Sequence, residues 1–212
     1  MFTAVTIPVC LALGLIFATI INKYIMGKTV VKIMFFIPYI ASVVAVCAVW
    51  QVLLQPSYGP VNQFLQAIGI ENPPKWLVDF KWALPSVMVI YIWQQLGYYI
   101  IVFMAGLNGI SKDVYEAAQI DGATGIRQFF SITVPLVAPT TFFLSVMGII
   151  GSFKVFDQIS VLTQGGPDTA TMVIAYYSYY KAFNSFEFGY AATIGFVQAL
   201  ITGVISIVVF LY

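Results

Sequence analysis

Residues 83–107 read ALPSVMVIYIWQQLGYYIIVFMAGL. The run holds no Asp, Glu, Lys or Arg. At 1.5 Å per residue it is long enough to cross a hydrocarbon layer of about 30 Å as one α-helix. It is too long for a strand of a membrane barrel, and it does not alternate as such a strand must. Runs of the same character lie at 5–21, 33–54, 134–155 and 190–211. The expected fold is an all-α integral membrane protein, a polytopic helical bundle with those five runs as its spans.

Composition agrees. Of 212 residues, 61% are hydrophobic and 8% charged. Average soluble domains carry about 25% charged residues, so lipid must solvate much of this surface. The net charge of +1, without a basic run, gives no argument for nucleic acid. His is absent. That removes His acid–base catalysis, His metal ligands and Ser-His-Asp triads together. Cys10 and Cys47 each sit inside an apolar run with no CxxC spacing, so they read as small buried apolar residues. No metal or cofactor is expected.

The connections differ in polarity. Residues 22–32 carry Lys23, Lys28 and Lys32 with no acid. Cytoplasmic loops favour Lys and Arg, which places this loop inside. Alternation then puts 108–133 inside as well, and the longer loops 55–82 and 156–189 outside. The count of basic residues barely separates the two sides; the density of the first loop carries the assignment. The N-terminus is then expected outside and the C-terminus inside. A chain that starts on the far side suggests a preceding helix not included here. Residues 5–21 lack the basic leader and A-x-A site of a signal peptide.

The most polar connection, 111–133, reads SKDVYEAAQIDGATGIRQFFSIT. Ser111 can cap a helix whose first turn holds Asp113 and Glu116, favourable at its positive end. Gly122 can end that helix and turn the chain. A helical pattern resumes over 123–132, and Pro135 marks the start of the next span. So short a helix pair needs something to pack on. On the residues alone, an ordered loop between spans is an equal reading.

The spacing here resembles a known signature. Glu116-Ala117-Ala118, three residues, Gly122, nine residues, Ile132, one residue and Val134-Pro135 is similar to the cytoplasmic loop of ABC importer permeases, with Val134 for the family's Leu. Leu162-Thr163-Gln164-Gly165-Gly166-Pro167 resembles an outer-loop motif of the sugar-permease branch. Weaker likenesses lie at Trp76-Leu77 with Asp79, at Ala105-Gly106-Leu107 and at 155–159. Together they are similar to permeases for maltose, oligosaccharides and glycerol phosphate, across essentially the whole chain.

The resemblance implies one transmembrane domain over 1–212, incomplete at its N-terminus, with 111–133 as a cytoplasmic coupling loop. It implies that Glu116, Ala117, Ala118, Asp121 and Gly122 engage an ATP-binding-cassette ATPase present in two copies. A second, homologous permease subunit and an extracytoplasmic solute-binding protein are further implied partners. Gln164, Gly165, Gly166 and Pro167 are candidates for contact with that binding protein, although a simple turn explains them as well. The implied setting is the inner membrane of a prokaryote, and the implied cargo is a carbohydrate.

Polar groups within spans are costly and often functional. Tyr91, Gln95 and Tyr98 are spaced i, i+4, i+7 and share a helix face, with Gln94 beside them. Amide and phenol groups bond sugar hydroxyls, and aromatic faces cover sugar C–H surface. Tyr91, Gln94, Gln95, Tyr98 and Ser152 are the candidate substrate path. Interhelical hydrogen bonding or an interfacial position would explain the same residues.

Three rivals remain on the sequence. An ion-coupled secondary transporter would want a charged residue near mid-membrane, and no span has one. A membrane-embedded enzyme lacks His and paired carboxylates here. A scaffold with no transport leaves 111–133 unexplained. No GxxxxGK[ST] loop is present, so ATP hydrolysis is expected on another chain and the protein itself is not expected to be an enzyme.

Overall fold

The computed structural model describes residues 1–25 and 27–211. Helix α1 (Phe2–Tyr24) extends the expected 5–21 span at both ends. Its Cys10, Gly14 and Ala18 recur every four residues on one face, and Cys10 and Ala18 are fully buried. That row of small residues makes a trough for larger side chains. A Cβ on Gly14 would lie 2.7 Å from Tyr99 Cβ. Close backbone approach at small residues is how membrane helices gain packing when lipid is as apolar as leucine.

The second expected span, 33–54, is two helices. Helix α2 (Lys28–Ile40) and α3 (Val43–Leu53) meet at an angle of 94°. Pro38 in the last turn of α2 has no N–H for the Met34 carbonyl, and its ring crowds that carbonyl. Ala41 and Ser42 then take extended backbone angles, and the helix restarts in a new direction. Hydropathy is continuous across the bend, which is why one span was expected. Helix α2 packs on the centre of the bundle, where a Cβ on Gly97 would strike the Phe35 backbone.

The outer connection contains helix α4 (Pro60–Ala67). Its buried Asn62 closes the loop: Nδ2 donates to the Pro56 and Pro74 carbonyls at 3.2 Å each, and Oδ1 accepts from Trp76 Nε1 at 2.7 Å. Helix α5 (Phe80–Asn108) starts at Asp79, whose carboxylate accepts from the Lys81 N–H at 2.8 Å. With 29 residues it is the longest helix and the axis of the bundle. Its buried side chains, among them Ile100, Phe103 and Met104, pack into the trough of α1.

Helix α6 (Lys112–Ile120) and α7 (Gly125–Gln128) form the polar connection. A π-helical turn over Phe129–Thr133 and the short α8 (Val134–Leu136) lead into α9 (Ala138–Phe153). Two expectations are corrected here. The helix expected over 123–132 starts at Gly125 and widens into the π turn, where the Val134 N–H reaches back to the Phe129 carbonyl. The expected 134–155 span is interrupted at Val137. Both follow from proline: Pro135 and Pro139 cannot donate to the carbonyls of Ser131 and Pro135.

Beyond α9 the chain turns at Lys154 and resumes as α10 (Asp157–Leu162), which packs on α3. Helix α11 (Ile174–Phe183) pairs with α12 (Phe188–Leu211). Gln198 of α12 donates to the Phe153 carbonyl at 2.7 Å, satisfying a backbone acceptor where α9 ends. Among the described residues four helices are long and apolar enough to cross a membrane, five if the bent α2–α3 pair counts as one. The residues described contain no strand.

Candidate functional site

The polar connection is a defined structure rather than a slack loop. The Ser111 hydroxyl accepts from the Asp113 N–H at 3.3 Å and donates to its carboxylate at 3.1 Å. At the far end Gly122 takes φ = 74°, a left-handed conformation in which a Cβ is strained. The Ala123 N–H reaches the Ala118 carbonyl at 2.9 Å, and the Gly122 N–H reaches the Gln119 carbonyl at 3.0 Å. These two bonds make a Schellman cap, which stops the helix at a fixed residue. Ala118 lies at the cap's apolar contact position and is the one buried residue of α6.

Side-chain bonds then clamp the turn. Gln128 Nε2 donates to the Ala123 carbonyl at 3.1 Å, and the Tyr115 hydroxyl pairs with Thr133 Oγ1 at 3.1 Å. The structure therefore brings Glu116, Ala117, Ala118, Asp121 and Gly122 together on one short capped helix. All but Ala118 are exposed. Around them Ile120 is 86%, Ile126 76% and Phe130 66% exposed. These bare apolar side chains share the connection with the exposed Glu116 and Arg127.

The expected sugar-path residues divide. Tyr91 is buried, edge-on to Phe2 with ring centroids 5.2 Å apart. Gln94 is buried and its Oε1 accepts from Gln158 Nε2 at 3.2 Å. Ser152 donates to the Ile149 carbonyl and its oxygen pairs with Thr3 Oγ1, both at 2.9 Å. It borders a largely apolar cavity of about 700 Å³ between α1, α9 and α12. Gln94 and Ser152 are thus hydrogen-bonded within the chain, and the Tyr91 ring is packed away. Gln95 and Tyr98 remain half-buried. Tyr98 stacks on Tyr39 of α2, with centroids 5.1 Å apart and planes at 16°.

Tyr39 and Gln158 were not foreseen as members of these groups. Tyr39 lies in an apolar run just after Pro38, with no polar periodicity to mark it. Gln158 sits in a stretch singled out for its likeness to sugar permeases, but its bond to Gln94 needs the three-dimensional placement of α10.

The outer motif is a tight knot. Gln164 and Gly165 take φ = 51° and 82°. Thr171, fully buried, donates to the Gly166 carbonyl at 2.8 Å and pairs with Thr163 Oγ1 at 2.7 Å. A Cβ on Gly165 would lie 2.9 Å from Met172 and Tyr176 side-chain atoms. Gly165 is thus required by the turn, Gly166 and Pro167 are half-buried within it, and Gln164 points to the exterior. On the same side Glu187 holds the Lys181 ammonium at 3.1 Å, and this hydrogen bond raises the lysine's pKa above its ordinary value.

The fold is a helical membrane domain with a capped, outward-facing helix on a polar connection, and known proteins share it. Residues 2–212 match the family described as "Binding-protein-dependent transport system inner membrane component". The chain belongs to that family. It is 35% identical over 197 residues to the probable ABC transporter permease protein YurN of Bacillus subtilis (strain 168), covering 92% of this chain and 68% of that protein. It is 32% identical over 214 residues to the lactose transport system permease protein LacF of Rhizobium radiobacter, covering 99% of this chain and 72% of that one. Its fold matches a chain of a bacterial alginate ABC transporter, crystallised with its alginate pentasaccharide-bound periplasmic protein, at a TM-score of 0.87 and 27% identity. That match covers 98% of this chain and 73% of the other. The protein is a multi-pass inner-membrane permease component of an ABC importer and not an enzyme; hydrolysis belongs to separate ATPase subunits.

Proposed function

We propose that this chain forms one side of the translocation pathway for a carbohydrate, and that residues 111–133 are its contact with the cytoplasmic ATPase. The observation that carries the coupling role is the Schellman-capped α6. It presents Glu116, Ala117 and Gly122 outward, flanked by bare Ile120, Ile126 and Phe130. A rigid helix with an apolar rim transmits movement, whereas a slack loop would absorb it. Asp121 flanks the glycine turn on the same exposed edge.

On this reading the loop and the lysines at the end of α1 face the cytoplasm, the N-terminus of this chain lies outside and its C-terminus inside. The ATPase is present in two copies, and a second homologous permease completes the pathway. Carbohydrate as cargo is supported by the names of the lactose and alginate relatives. Gln95 and Tyr98, the half-open members of the α5 face, line the path, with Tyr39 extending the aromatic surface. Tyr91, Gln94 and Ser152 shape it from behind. Gln164 is the residue of the outer knot placed to meet the solute-binding protein, while Gly165, Gly166 and Pro167 hold its shape.

The test is co-purification. An ATPase subunit should accompany the tagged wild-type chain and be lost with Glu116→Lys or Gly122→Asp. Retention of the ATPase by both variants would remove the coupling assignment. Sugar transport is tested separately, by uptake of a labelled sugar panel with Tyr98→Ala and Gln95→Ala. If those variants transport like the wild type, they do not line the path.

A further inference from the structure

Behind α6, on the side away from its exposed apolar residues, lies a pocket of about 510 Å³. It is bounded by the last turn of α1, the start of α2, the end of α5 and the inner face of α6–α7. Three lysines line it, Lys23, Lys28 and Lys112, and no Asp or Glu is among its lining residues. Lys28 is held in place by neutral oxygens: its Nζ donates to the Asn22 carbonyl at 2.6 Å and to Asn22 Oδ1 at 3.3 Å. An ammonium has three N–H donors, so one remains beyond these two bonds. Leu107, Ile110 and Phe129 supply an apolar side to the same pocket.

The two faces of α6 divide the work. Lys112, Tyr115 and Gln119, spaced i, i+3, i+7, line the pocket. Ala117 lies on the opposite, exposed side of the helix; Glu116, one turn on from Lys112, and Ile120 are exposed between the two. The acid next to Lys112, Asp113, is bonded to Ser111 and is not part of the lining. An occupant of the pocket would therefore brace α6 from the side opposite Ala117.

We infer that this pocket binds a phosphate-ester anion, and that the anion is the headgroup of an acidic phospholipid. Clustered lysines with amide and hydroxyl donors match phosphate oxygens. The apolar side at the ends of two membrane-spanning helices matches the start of an acyl chain. Basic pockets between spanning helices are the expected recognition device for anionic lipid headgroups. A soluble phosphate shares the headgroup's chemistry but would leave the apolar wall unused.

The test uses the assembled importer, with its ATPase, in vesicles of phosphatidylcholine with or without phosphatidylglycerol. Retained lipid is counted by native mass spectrometry, and ATPase rate is read in parallel. Wild type should retain phosphatidylglycerol over phosphatidylcholine. Lys28→Gln and Lys112→Gln should each weaken retention about fivefold, the worth of one lysine at a membrane surface. Lys28→Arg with Lys112→Arg should preserve it. Lys75→Gln with Lys81→Gln, on the other side of the bundle, should behave as wild type. In a second arm inorganic phosphate replaces the acidic lipid. Lysine-dependent binding of phosphate with no lipid preference would support the pocket and assign it to a soluble anion. Equal lipid retention and equal phosphate binding by wild type and the Lys28→Gln, Lys112→Gln double variant would overturn the inference. So would loss of the ATPase from that variant with lipid retention unchanged, which would make the lysines a protein contact.

Discussion

Replacing Gly122 isolates backbone geometry from packing. Gly122 holds φ = 74°, and a Cβ built there meets nothing within 4 Å. Gly122→Ala therefore removes no contact and creates no clash. Its cost is the left-handed conformation alone, about 1–2 kcal/mol for an L-residue other than Gly, Asn or Asp. The cheapest relief is to open the Schellman cap, losing the Ala123-to-Ala118 and Gly122-to-Gln119 bonds. If the ATPase needs the capped form, its affinity falls by the same free energy, about 5- to 30-fold. Gly122→Asn, which tolerates left-handed angles, should fall in between. The assay is titration of purified ATPase against the permease in detergent, with thermal unfolding as the control. Unfolding should hardly move, because the turn is exposed. The reasoning fails if Gly122→Ala binds as wild type, or if Asn is no better than Ala.

Gly97→Ala should behave in the opposite way, because its Cβ runs into the Phe35 backbone; low yield and a lowered melting temperature are expected, and a normal melt would refute the α2–α5 contact. Gln94→Leu and Gln158→Leu, measured singly and together, should show a coupling of about 0.6–1.7 kcal/mol, the range for hydrogen bonds inside membranes; strict additivity would mean that the 3.2 Å bond does not form. Gly165→Ala forces a Cβ to within 2.9 Å of Met172 and Tyr176 side chains at φ = 82°. It should lower uptake while ATPase co-purification stays normal, and loss of the ATPase would place the defect elsewhere. Ile120→Ser removes an 86% exposed side chain; stability should be unchanged and ATPase affinity reduced, and unchanged affinity would exclude that side chain from the interface.

Much of the fold could be read from the sequence, because the solvent wrote it there. A helix in lipid must satisfy its own backbone and carry an apolar run, so 5–21, 83–107 and 190–211 lie within α1, α5 and α12 to a few residues. The two spans that differ fail for one reason. Hydropathy sums side chains and is blind to a missing N–H, so Pro38, Pro135 and Pro139 broke helices that looked continuous. Helices α4, α10 and α11 sit in connections where glycine and proline drew the eye first.

The site was legible where chain geometry demands a residue type. Ser111 caps, Gly122 turns and Gly165 turns, each for a backbone reason visible in one dimension. The α5 face was less so. A polar residue in a span announces that it needs a partner, not which partner. Gln94 found Gln158 and Ser152 found Thr3, while the Tyr91 ring packs on Phe2, all far away in sequence.

The account stands on α6 as the element that grips a separate ATPase chain. Both native cysteines are buried, so a cysteine or photo-reactive residue placed at Ala117 gives a single reporter on an exposed face. In membranes holding the assembled importer, cross-linking from position 117 should yield one adduct with the ATPase subunit, and an impermeant thiol reagent should reach Ala117→Cys only from the cytoplasmic side. Labelling from the outer side, or cross-links that never include the ATPase, would contradict it.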